Sequence, residues 1–142
     1  MEPSTVLIAL AALVTFGALL GVLYRLTRGR SSRVSASASV TGIELGAGAT
    51  LLQFSSEVCS ACAATHRVLR SVSDEHPTVV HVDVDVTTRP DLVSRFNILQ
   101  TPTTLVLDSG GVAVARIGGG VRRETVVTEL ARALDSSPTS QN

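Results

Sequence analysis

Apolar positions divide the chain into one long unbroken run and a series of short, punctuated ones. Only Thr15, Gly17 and Gly21 interrupt the run over residues 6–24. As a helix rising ~1.5 Å per residue it spans roughly 28 Å, about the hydrocarbon thickness of a bilayer. A core helix would show a polar face, and this run shows none. A cleaved secretory signal would carry basic residues ahead of a shorter apolar stretch. Here Glu2 comes first, and Ala36-Ser37-Ala38 lies far beyond, past Arg25, Arg28, Arg30 and Arg33. The pattern predicts an uncleaved transmembrane anchor over 6–24, behind a flank of residues 1–5. Residues 25–39, basic and then rich in Ser and Ala, predict a flexible tether with its arginines near anionic headgroups.

Beyond the tether the apolar period shortens. Residues 40–45 read as a short strand closed by Gly46-Ala47-Gly48, and Leu51, Leu52 and Phe54 mark a second strand. Ala61, Ala64, Val68 and Val72 then recur in steps of three and four, a helical stripe with Arg67, Arg70 and Ser71 on its other faces. Val79, Val80, Val82 and Val84 leave little polar face, which predicts a central strand over 78–84, covered on both sides. Pro90 opens a short helix running to Phe96. A strand over 103–107, a turn at Asp108-Ser109-Gly110-Gly111 and a returning strand over 112–117 predict an antiparallel hairpin. A last helix over 122–134 turns Val126, Val127, Leu130 and Leu134 inward, and residues 136–142 form a polar tail. Strands alternating with helices and ending in a hairpin predict an α/β domain over 40–135, a central mixed sheet with helices on both faces.

The chemistry sits where the second strand gives way to the helix. The chain holds two cysteines, Cys59 and Cys62, spaced C-x-x-C at a predicted helix N-terminus. Unpaired backbone N–H groups and the positive end of the helix dipole favour a thiolate there. Cys59 is therefore a candidate nucleophile and Cys62, one turn on, its resolving partner. Half of a zinc site is the competing reading. It needs a second closely spaced ligand pair, and His66, His76 and His81 supply none. Redox chemistry is the better fit, with no metal and no cofactor required.

Strand, C-x-x-C, helix, strand, helix, Thr101-Pro102 and hairpin, in that order, resemble the thioredoxin-like disulfide oxidoreductases. The resemblance implies a thioredoxin-like fold with a shortened N-terminal strand–helix, and a cis Thr101–Pro102 bond that faces the sulfurs. It also implies catalysis by Cys59 and Cys62 beside Pro102. Val58, Thr101 and Gly118 would frame a shallow groove for an extended peptide around a substrate cysteine. The chain departs from the family pattern in several places. Val58 replaces an aromatic residue, and Ser60-Ala61 stands between the cysteines in place of Gly-Pro. Gln53 and His81 occupy the positions of a buried Asp and a Lys that handle protons. Gln53 cannot act as a base, so either the proton relay moves to His81 or His81 is a strand residue with a satisfied hydrogen bond. Both readings stay open at this level.

Charge changes the picture less. Lys+Arg and Asp+Glu each number 12, which gives no reason to expect a nucleic acid partner. Trp is absent and aromatics make up 3%, so the core must come from Val, Leu, Ile and Ala. With both cysteines in the motif, cysteine count leaves the redox compartment open. The arginines after the apolar run place the domain in the cytoplasm and the N-terminus outside. The expected protein is a membrane-anchored thiol–disulfide oxidoreductase. Its partners are protein disulfide or dithiol substrates, an integral membrane redox partner, and lipid through the N-terminal helix. Two alternatives are an extracytoplasmic oxidoreductase serving secreted proteins or cytochrome maturation, and a non-catalytic peptide-binding module.

Overall fold

A computed structural model describes residues 3–27, 31–32 and 42–136. The first helix, α1, runs Pro3–Thr27 and contains the whole predicted anchor. Its stretch Ser4–Leu23, of mean hydropathy 2.7, is long and apolar enough to cross a membrane, and none of it is buried inside the protein. A two-residue strand β1, Ser31–Ser32, follows. The flank at 1–2, most of the predicted tether and the tail from 137 lie outside the described residues.

The domain proper begins at β2, Ala49–Ser55, and continues with α2, Cys62–Asp74, and β3, Val79–Asp85. A short α3, Pro90–Arg95, leads to β4, Thr103–Asp108, and β5, Ala113–Gly118, and α4, Arg123–Ser136, closes the chain. The five strands form one sheet in the order β1-β5-β4-β2-β3. β2 runs parallel to β3 and antiparallel to β4, while β5 is antiparallel to both β4 and β1. This is the mixed α/β sheet that the sequence predicts.

Side chains alternate across β2 and build two cores. Ala49 and Leu51 point to the face covered by α2 and α4, where Leu69, Val72, Val106, Ile117, Val126 and Leu130 are buried with them. Leu52 and Phe54 point to the other face, against Val84, Leu92, Phe96, Leu105 and Leu107. The two aromatics of the domain meet there, the Phe54 and Phe96 rings 6.3 Å apart.

Four local expectations are corrected. No strand forms over 42–45; that stretch bends past the sheet while Ile43 and Leu45 pack on the second core. With no strand beside it among the described residues, β3 is an edge strand rather than a central one. The inward stripe of α2 is Cys62, Thr65, Leu69 and Val72, while Ala61 and Ala64 are exposed. On α4, Val127 is exposed and Glu129 takes the buried place, its carboxylate accepting from Arg132 at 2.9 Å. Alanine and valine fit a buried or an exposed face equally well, so periodicity alone leaves the rotation of each helix open, while Val72, Val126 and Leu130 are buried as expected.

The hairpin turn is held by Asp108, whose Oδ1 accepts from the N–H groups of Gly110 and Val112, each at 2.9 Å. Gly111, at φ 74°, takes the left-handed position that this turn requires. Because Leu51 is fully buried on the face shared by both long helices, Leu51→Ala is expected to destabilise the domain by about 2–5 kcal/mol. Urea denaturation of the full chain in detergent micelles measures this.

Candidate active site

β2 ends at Ser55, and a tight turn then delivers the cysteines to the start of α2. The Cys59 N–H donates to the Ser56 carbonyl at 3.1 Å, and the Cys62 N–H to the Cys59 carbonyl at 3.2 Å. Cys59 and Cys62 are joined as a disulfide, their Cα atoms 5.4 Å apart. Both sulfurs are thus committed to each other. Cys59 is half-exposed and Cys62 is buried. No side chain caps the helix at Ala61, and its first turn carries no acidic residue. The positive helix end is therefore left to the sulfurs.

The opposite wall comes from the loop before β4. The Thr101–Pro102 peptide bond is cis. Pro102 accepts at 2.8 Å from the N–H of Gly119, which has φ 78°. The Thr101 and Ser56 hydroxyls are hydrogen-bonded at 3.1 Å and tie this loop to the turn before Cys59. Between them lies an open cleft lined by Val58, Cys59, Thr101, Pro102 and Gly118, with no charged side chain in its walls. A Cβ on Gly118 would meet the Gln100 amide at 2.7 Å, so the glycine lets Gln100 lie across the cleft floor. Val58, in its wall, is 95% exposed. The cleft thus brings together every groove residue named from the sequence, and adds Ser56 and Gln100.

Behind Cys62 the sheet is polar. Gln53 is fully buried, and its Nε2 donates to the Cys62 carbonyl at 3.1 Å. A carbonyl only accepts, so this fixes the amide with Oε1 toward His81, whose Nε2 must carry the proton across 3.1 Å. The two residues therefore meet, and through Gln53 the pair is bonded to the backbone of the resolving cysteine. The His81 ring contacts that of His66 edge-on at 4.7 Å. His66 Nδ1 donates to Asp83 Oδ2 at 3.1 Å, and Ser55 donates to the other Asp83 oxygen. Burial above all, and next the neighbouring His66, push His81 down to about 4, while Asp83 pulls weakly the other way. Sequence reasoning missed Asp83, and weighed His66 only as a zinc ligand. Period-two alternation from His81 would have placed Asp83 on the same face. His76 stands apart, its Nδ1 donating to the Val72 carbonyl at 2.8 Å.

Comparison with known proteins agrees with this geometry. The thioredoxin family model matches residues 39–132, and the chain belongs to the thioredoxin family. A curated relative, Thioredoxin H5 of Oryza sativa subsp. japonica, is 29% identical over 69 residues, 49% of this chain and 51% of that one. The match therefore spans about half the length of that relative. Among solved structures, thioredoxin NaTrxh from Nicotiana alata is similar with a TM-score of 0.54 and 22% identity, covering 61% of this chain and 74% of that one. A malarial protein is similar with a TM-score of 0.55 and 18% identity, covering 61% and 98%. At these identities the structures establish the fold. The protein is a thioredoxin-fold redox protein with a vicinal Cys59–Cys62 pair.

Two outcomes follow from the burial pattern. In the reduced chain Cys59 is expected to alkylate well before Cys62, as read by mass spectrometry after brief iodoacetamide labelling; equal rates would contradict the assignment. The depressed His81 means that the unfolded chain, near 6.5, binds its proton before the folded one does. Its contribution to stability is present above pH 6.5 and is lost as pH falls toward 4. Unfolding free energies measured across that window should fall less steeply for His81→Gln than for wild type.

Proposed function

We propose that the protein is a membrane-anchored thiol–disulfide oxidoreductase acting on protein substrates or on a membrane-embedded redox partner. The observation that carries this reading is a half-exposed Cys59 joined to a buried Cys62 at a helix start, beside an uncharged cleft. In the reducing direction the Cys59 thiolate attacks one sulfur of a target disulfide, that S–S bond breaks, and the other target sulfur leaves as a thiolate. A mixed disulfide then joins Cys59 to the target. Cys62, as a thiolate, attacks the Cys59 sulfur and releases the target as a dithiol, closing the Cys59–Cys62 bond. Two electrons pass from protein to target, and the oxidising direction runs the same steps in reverse. The target segment lies extended between Val58 and Thr101, with Pro102 and Gly118 leaving it room.

His81 in this mechanism is a hydrogen-bond donor that locks Gln53, and not a general base. With its pKa held near 4 the imidazole is neutral at physiological pH and too weak a base to match the task. The apolar α1 supports anchoring, and the arginines that follow it support a cytoplasmic domain with the N-terminus outside. Labelling Cys59 in intact cells with a membrane-impermeant thiol reagent tests this orientation. Protection until lysis is expected, and ready labelling of intact cells reverses the topology.

Cys62→Ser tests the exchange itself. The variant should attack but not release, so mixed disulfides accumulate at the membrane, sensitive to reductant and absent from Cys59→Ser. If Cys62→Ser traps nothing while another thioredoxin's trap succeeds in the same cells, the exchange mechanism is wrong.

A further inference from the structure

The buried polar layer behind Cys62 contains two hydroxyls that the mechanism above does not use. Thr65 and Thr104 are 2% and 0% exposed. Among the described residues, neither side-chain oxygen has a hydrogen-bond partner. A hydroxyl buried without a partner is costly, and such groups in folded proteins call for an explanation. Both lie close in the fold to residues that hold Cys62. Thr65 lies three residues beyond it on the buried stripe of α2, where side chains at that spacing are neighbours. Thr104 stands directly opposite Gln53 in the β2–β4 register, and Gln53 holds the Cys62 carbonyl. Thr65 is therefore a helical neighbour of the resolving cysteine, and Thr104 a cross-strand neighbour of the side chain that bonds its carbonyl.

The Cys62 sulfur is bonded to Cys59 here. A disulfide sulfur is a poor hydrogen-bond acceptor, whereas a buried thiolate is a strong one and is costly to leave bare. We propose that Thr65 and Thr104 are positioning residues held for the reduced Cys62, donating to its sulfur once the disulfide opens and favouring the thiolate that resolves the mixed disulfide. This deepens the dithiol–disulfide reading of the same site and rests on it. The orphaned hydroxyls destabilise the oxidised form, and the new hydrogen bonds stabilise the reduced one. Both effects favour the dithiol.

The test uses the full chain in lipid nanodiscs, equilibrated with dithiothreitol and its cyclic disulfide. In that equilibrium two dithiothreitol thiols are oxidised as the Cys59–Cys62 bond is reduced, and alkylation counts the reduced fraction. Thr104→Val and Thr65→Val remove the hydroxyl and keep the shape. Each is expected to shift the equilibrium toward the protein disulfide by about 3–10-fold, and about tenfold corresponds to ~30 mV for a two-electron couple. The oxidised form should be as stable to urea as wild type or more so, since an orphaned group is gone. Thr104→Ser should keep the wild-type equilibrium.

An unchanged equilibrium in both valine variants overturns the proposal. So does a loss of oxidised-form stability as large as that of the reduced form, which would mean that the hydroxyls are already satisfied by water in the disulfide state. The equilibrium is measured with a small dithiol and needs no protein target. A chain that fails to trap targets therefore counts against the proposed function without touching this measurement.

Discussion

The site depends on the complete burial of β2. Ala49 through Phe54 are all inaccessible, because β3 and β4 flank the strand and helices cover both of its faces. A strand buried on every side cannot shift register without exposing one core and overfilling the other. It therefore fixes where the turn after Ser55 emerges, and with it the position of Cys59. The same burial makes Gln53 consequential. An amide in that place must find partners or cost several kcal/mol, roughly 2–7 by transfer measurements. It finds them in the Cys62 carbonyl and in His81.

This gives the proton chemistry of the site a different character from that of a charged relay. Gln53 never ionises, and His81 is held neutral by burial and by the adjacent His66. The wall behind the resolving cysteine is built of neutral dipoles whose orientations are mutually fixed. The one carboxylate in the network, Asp83, is turned toward His66 and Ser55 on its exposed side. Charge is thereby kept at the rim while the interior offers only hydrogen bonds. A neutral interior of this kind can favour a thiolate through donors alone, which is the part assigned to Thr65 and Thr104.

The front of the site is also uncharged, for a different reason. Its walls are glycines, small hydroxyls, one proline, one amide, Val58, Ala61 and Cys59 itself, so the approach of a target is governed by shape and backbone pairing. Val58, in its wall, is almost fully exposed. Isolated exposed aliphatics are ordinary on protein surfaces.

The chain's own pattern determined the identity of the elements, the C-x-x-C at a helix start, the Thr101-Pro102 loop and a single apolar segment of membrane length. Those features are local: periodicity, turn chemistry and cysteine spacing act within a few residues, so a linear reading reaches them. Which face of α2 and α4 turns inward was not local, since Ala61 or Val127 can be buried or exposed at little difference in cost. Nor was the edge position of β3, because a run of valines reads alike in a central strand and in an edge strand partly covered by Ile43 and Leu45. The meeting of Gln53, His81, His66 and Asp83, and the burial of Thr104 beside Gln53, were decided by the tertiary structure alone. Hydrogen bonds between side chains far apart in the chain exist only once the strand register and the seating of α2 have set their distances.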